Sequence, residues 1–162
     1  MKFEIKNRFS GDLIVEVEAK NWRFAVELAI KQNADLSFAN LSFAKYADHA
    51  LAQTLIVPDG DLIVWKKCCN NVLVKLLIPK EAKRSNATGR KCRAEYGEVL
   101  ELIDLTDKRK KALVGISHYK NSVEYRVGET VKCDEWDEDR LNECSGGIHF
   151  FITRIEAENY SL

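Results

Sequence analysis

Proline is nearly missing from this sequence: Pro58 and Pro79 are the only two among 162 residues, beside a single methionine and three histidines. So little proline excludes a polyproline or collagen-like chain, and 46% apolar with 31% charged residues excludes a disordered one. Net charge is missing as well, because 25 Lys and Arg balance 25 Asp and Glu. That balance argues against a histone-like or polybasic membrane-surface protein, yet leaves local patches open. No stretch approaches the roughly 20 apolar residues that span a bilayer; the most apolar region is cut by Lys66, Lys67 and Lys75. The opening Met1-Lys2-Phe3-Glu4-Ile5-Lys6 alternates apolar with charged and holds no signal-peptide core. The expected location is therefore cytoplasmic, in a bacterium or an infected host cell, with no membrane partner.

The cysteine pattern excludes more. Cys68, Cys69, Cys92, Cys133 and Cys144 are an odd number, with the first two adjacent, unlike the even framework of a disulfide-rich secreted domain. No C-x-x-C pair exists, and His49, His118 and His149 are scattered, so neither a metal site nor a cofactor is expected.

What is present is a succession of short patterned segments. Phe3 and Ile5, then Leu13, Val15 and Val17, alternate with polar residues around Phe9-Ser10-Gly11-Asp12, as a hairpin over 2–17 does. Asn21 precedes Trp22, Ala25, Val26, Ala29 and Ile30, which recur at the spacing of one helical face over about 22–32. Then Ala34-Asp35-Leu36-Ser37-Phe38 and Ala39-Asn40-Leu41-Ser42-Phe43 repeat a five-residue unit, which fades in Ala44-Lys45-Tyr46-Ala47-Asp48. Beyond Asp59-Gly60 the pattern turns to short strands: Asp61–Lys67 and Asn71–Ile78 form a second hairpin about Cys69-Asn70-Asn71. Lys91–Ile103 reads as two pieces around Gly97, and Asp107–Lys111 as a charged turn. Ala112–Tyr119, Tyr125–Val131 and Gly147–Thr153 read as further strands. Thr153-x-x-Glu156 is a capping box that starts a short helix running to about Tyr160. The expected class is α+β, a mainly antiparallel sheet or partly open barrel with an N-terminal hairpin-helix and a degenerate pentapeptide-repeat coil. Residues 1–57 carry the hairpin, helix and remnant coil, and 58–162 a β-rich C-terminal domain.

The five-residue units resemble the pentapeptide repeat, whose square right-handed β-helix points its Leu inward. Two good units and one poor one fall short of the four in a complete coil, and stacked repeats need neighbours to bury a core. Together with Trp65-Lys66-Lys67, the run Ala82–Ala94, Tyr125-Arg126-Val127-Gly128-Glu129 and Asn142–Phe151, the chain resembles an uncharacterised domain family of bacteria, phages and large viruses that follows pentapeptide repeats. That resemblance implies no established activity, substrate or cofactor; it implies a phage or prophage setting.

Two constellations carry chemistry. Residues 80–93 hold six cations against Glu81, a net +5, around the small polar stretch Ser85-Asn86-Ala87-Thr88-Gly89. Forked guanidinium groups beside an amide-rich turn suit phosphate oxygens. The candidate ligand-binding residues are Arg84, Asn86, Arg90, Lys91 and Arg93, flanked by Lys66 and Lys67. The bland account is internal pairing with residues 132–143, where six acids against Lys132 and Arg140 give a net −4. Duplex DNA is disfavoured, since no helix-turn-helix, zinc finger or aromatic RNA platform is evident.

The second constellation is Cys144-Ser145-Gly146-Gly147-Ile148-His149, a thiol, a glycine turn and an imidazole close in sequence. Cys144 and His149 are catalytic candidates if the histidine serves as base and the turn donates to an oxyanion. A turn into a buried strand with an inert thiol explains the same residues. The reading that follows is a non-enzymatic binding module of phage type that holds a phosphorylated small molecule or nucleotide. The alternatives are a Cys/His enzyme and a protein-protein interaction module forming a homo-oligomer.

Overall fold

Alternating and capped segments of this kind fold locally, and the computed structural model shows how they are gathered; it describes residues 1–36, 38–41, 51–107, 112–118 and 123–161. The chain forms two compact units. The first comprises Met1–Ile56, Asn86–Arg90 and Glu138–Cys144, and the second comprises Val57–Ser85, Lys91–Asp137 and Ser145–Leu162.

In the first unit β1 (Lys2–Lys6) and β2 (Leu13–Glu18) pair antiparallel, with Phe3 opposite Val17 and Ile5 opposite Val15. The Asn7 side chain accepts from the backbone N–H groups of Phe9 and Ser10 and so closes the connecting turn. Helix α1 (Trp22–Lys31) starts where the Asn21 side chain accepts from the Phe24 N–H, and it buries Ala25, Val26 and Ala29. These pack with Ile5 and Val17 into one core, which Leu36, Ala39 and Leu41 complete. The five-residue units thus contribute apolar residues to this core. Among the described residues they make one bridge, between Asn7 and Ala39. Ser37 and residues 42–50, on which the rest of the repeat reading and His49 fall, lie outside the described residues.

The second unit is built on a four-stranded antiparallel sheet in the order β10-β7-β4-β3. Strands β3 (Leu62–Lys67) and β4 (Val72–Ile78) are joined by a 3-10 turn, Cys69–Asn71, in which Asn70 and Asn71 take φ of 57° and 56°. Asparagine tolerates that left-handed backbone better than other chiral residues. Strand β4 reads almost continuously apolar because it is central: Leu73, Val74, Leu76 and Ile78 are all fully buried. It pairs with β7 (Tyr96–Asp104) through a bulge between Lys75 and Leu76. Strand β10 (Thr130–Lys132) closes the far side against Tyr96–Glu98.

A three-stranded sheet follows the order β11-β6-β5, from β5 (Arg84–Asn86), β6 (Cys92–Ala94) and β11 (Ile148–Phe150). It is tied to β3 where Trp65 and Phe151 exchange backbone hydrogen bonds of 2.9 and 2.7 Å. A two-residue pair, β8 (Gly115–Ile116) with β9 (Glu124–Tyr125), is antiparallel as well. Helix α2 (Arg154–Asn159) begins with a capping box in which Thr153 and Glu156 serve each other's backbone N–H groups. The architecture is α+β with mainly antiparallel sheets. No sheet closes into a barrel among the described residues, and no described helix is long and apolar enough to cross a membrane.

Three local expectations change. The break expected at Gly97 lies at Glu95, whose N–H donates to Lys83 and whose carbonyl accepts from Cys133. Gly97 instead stays inside β7, because a Cβ there would stand 2.6 Å from Ile78 Cδ1 and 3.2 Å from the Leu77 carbonyl. The single strand expected over Tyr125–Val131 is two, since Gly128 at φ +85° turns the chain between β9 and β10. The basic stretch 80–93, read as a loop, contains β5 and β6. Residues 108–111 and 119–122, which include parts of the expected charged turn and following strand, lie outside the described residues.

Candidate functional site

The basic stretch is divided between the units: Arg84 and Ser85 belong to the second, Asn86–Arg90 to the first, and Lys91–Arg93 again to the second. Each part is occupied differently.

In the second unit Arg93 sits in the middle of β6 and is only 2% exposed. Its Nη1 donates to the carbonyls of Asp137 (2.6 Å) and Gly146 (2.9 Å), and its guanidinium lies 4.6 Å from the centroid of the Trp136 ring. The Ser145 hydroxyl donates to the Asp137 carboxylate, which holds the same two segments together. The two glycines belong to this clasp. A Cβ on Gly146 would come 2.1 Å from the Glu135 carbonyl oxygen, and Gly147, at φ +148°, would place one 3.0 Å from Arg93 Cβ. Glycine here lets two backbones approach around a buried guanidinium. That geometry accounts for Gly146-Gly147 without an oxyanion.

In the first unit Asn86 is 1% exposed. Its Nδ2 reaches the carbonyls of Thr54 (2.8 Å), Gly89 (3.2 Å) and Ala87 (3.4 Å), while its Oδ1 accepts from the Ile56 N–H at 3.1 Å. Arg140 adds a second guanidinium: Nη2 donates to Thr54 Oγ1 and to the Ala87 carbonyl, both at 2.8 Å. Partial burial lowers the Arg140 pKa from its ordinary value. Asn86, Thr54 and Arg140 thus knot three chain segments of this unit. Glu143 approaches the turn too, 3.2 Å from where a Cβ on Gly89 would stand. The +5 and −4 stretches do meet, then, and they meet largely through guanidinium groups on backbone carbonyls.

The two flanking lysines diverge because alternation along β3 sends them to opposite faces. Lys67 Nζ donates to the carbonyls of Glu158 (3.0 Å) and Tyr160 (3.1 Å) at the end of α2, where orphan carbonyls favour a cation. Lys66 Nζ reaches the His149 carbonyl at 3.3 Å and lies 5.7 Å from the Tyr125 ring centroid. Burial lowers its pKa.

Of the remaining cations, Lys91 Nζ lies 5.6 Å from the Tyr160 ring centroid, and Arg84 Nη1 reaches the Ile78 carbonyl at 3.4 Å. Lys80, Lys83 and Arg90 are exposed. Lys80 and Lys83 belong to the turn between β4 and β5, which the Ala82 N–H closes on the Pro79 carbonyl and the Lys80 N–H anchors on Asp61. Lys80 pairs there with Glu81 at 3.8 Å, both side chains well exposed.

The catalytic candidates fall in different units: Cys144 is exposed in the first, and His149, half-buried on β11 opposite Arg93, is in the second. None of the five cysteines is disulfide-bonded. Burial pushes the Cys68 thiol up to about 11, the opposite of activation. Among the described residues no group of three or more His, Cys, Asp or Glu is placed to hold a metal ion. Sequence reasoning missed Thr54, Trp136 and Arg140, for which no local motif exists; their roles arise from partners tens of residues away.

Residues 53–157 match the model of a family of unknown function, DUF5758. No curated protein matches the chain, and no solved structure matches it.

Proposed function

The chain belongs to this DUF5758 family of unknown function, and we propose that it is a non-enzymatic binding module for a phosphorylated small molecule or nucleotide. The observation that carries the reading is a sorting of the cations. Arg93, Asn86, Lys66 and Lys67 spend their donors on backbone carbonyls, whereas Lys80 and Lys83 stand exposed on one short turn of the second unit, followed at once by half-buried Arg84. Three cations within five residues offer charge-assisted hydrogen bonds to a phosphate group. The exposed Lys80–Glu81 contact opposes this little, since such pairs contribute about 0–1 kcal/mol.

The test is a thermal-shift panel of nucleoside mono-, di- and triphosphates, cyclic dinucleotides and inorganic phosphate. A ligand that binds only the folded state raises Tm, and the shift is expected to shrink with added salt. The double variant Lys83→Ala/Arg84→Ala should lose the shift while keeping the wild-type far-UV spectrum, and Lys132→Ala should retain it. No shift across the panel, or a shift that survives the double variant, overturns the reading.

A further inference from the structure

Lys66 has an unusual position for a lysine. It pairs with fully buried Val74 across the β3–β4 ladder and shares a sheet face with Val64, which is also fully buried. An ammonium carries three N–H donors, yet Nζ has one backbone acceptor, the His149 carbonyl at 3.3 Å, and beyond it the ring of Tyr125 at 5.7 Å. No carboxylate pairs with it. Tyr125 is itself 2% exposed, so this end of the pocket is dry.

Every neighbour that titrates favours the uncharged amine or is neutral. Lys91 adds a like charge, which lowers the Lys66 pKa beyond the effect of burial. A Cys68 or Cys69 thiolate would raise it, but the Cys68 thiol is held up to about 11 and stays protonated at physiological pH. Burial likewise pushes the Tyr125 phenol up, so it remains neutral. A neutral amine has two N–H groups and a lone pair, and it leaves fewer unsatisfied donors here than an ammonium does. The residue as a whole keeps partial exposure, so a small molecule has a route to the amine.

We infer that Lys66 is a nucleophilic amine that takes a small carbonyl compound as an imine. The Nζ lone pair attacks the carbonyl carbon, forming the C–N bond while the C=O π pair moves to oxygen. A proton passes from nitrogen to that oxygen, giving a carbinolamine. Loss of water then breaks the C–O bond and leaves C=N, with no change of oxidation state. This amine is independent of the phosphate-binding turn, and its test fails or succeeds without reference to nucleotides.

The full-length protein is treated at pH 7.5 with limiting glyoxylate and cyanoborohydride, which reduces the imine to a stable carboxymethyl-lysine. Tandem mass spectrometry then gives the site. Each unit of lowered pKa raises the neutral fraction about ten-fold. Lys66 is therefore expected to label on the order of ten-fold faster than Lys67 and Lys75, and the preference should vanish in denaturant. Lys66→Arg should leave labelling elsewhere unchanged. Labelling of Lys66 in the folded protein no faster than that of Lys67, including complete protection, overturns the inference.

Discussion

The two units each hold a buried guanidinium, and the difference between them shows what such a group costs and what makes it tolerable. Arg140 in the first unit is half-buried and donates to a hydroxyl and one carbonyl, with Asn86 beside it serving the same loop. Arg93 in the second is almost fully enclosed, donates to two carbonyls and lies against the Trp136 ring, with Gly146 and Gly147 clearing space around it. A deeper charge demands more complete satisfaction, because desolvation grows with burial while each hydrogen bond contributes only about 1 kcal/mol net. Stacking on an aromatic face adds to this without requiring another acceptor.

The comparison breaks most visibly at the deeper clasp. Arg93→Met strips the carbonyls of Asp137 and Gly146 of their donor and should cost about 3–5 kcal/mol in urea unfolding. Arg140→Met should cost about 1–2 kcal/mol. Equal losses would show that the stack on Trp136 and the enclosure add nothing. Gly146→Ala tests the clearance alone: a methyl group 2.1 Å from a backbone oxygen forces the 135–137 segment away. The expected loss is about 3 kcal/mol, and an unchanged Tm would mean that the segment yields freely.

The smallest effect concerns the two lysines of β3. A folded-state pKa below 10.5 means that the unfolded chain binds the proton more tightly. The native state therefore carries a penalty at neutral pH that is relieved as pH rises from the lowered pKa towards 10.5. Lys66→Met should remove the penalty, so its stability should exceed wild type at pH 7 and the gap should narrow as pH climbs. A gap that is constant with pH, or one of opposite sign, would show that the native amine is charged and well served.

Several features were legible because short-range physics decides them. The β3–β4 hairpin about Cys69-Asn70-Asn71 and the Thr153–Glu156 capping box depend on groups a few residues apart. Others were hidden. Gly97 reads as a strand breaker, yet its place follows from Ile78 in the neighbouring strand. Arg93 and Asn86 have the look of ligand donors, and their donors are taken by carbonyls of residues 137, 146 and 54. Nothing near either residue in the sequence announces those partners, since a carbonyl acceptor is available on every residue.

The amino-acid order by itself determined the class of this protein: an α+β chain of short, mainly antiparallel strands, without net charge and without a long apolar run. Alternation, turn chemistry and capping act over a few residues, so they can be read in one dimension. Only the tertiary structure decided which of the six cations between residues 80 and 93 meet solvent and which are consumed by the fold. Charge is a sum over residues, whereas desolvation depends on which strands pair and which carbonyls they bring near. Lys66 and Lys67 show this most directly: neighbours in sequence with the same chemistry, they are separated by the pleat of one strand into a dry amine and a cation bonded to the end of a helix.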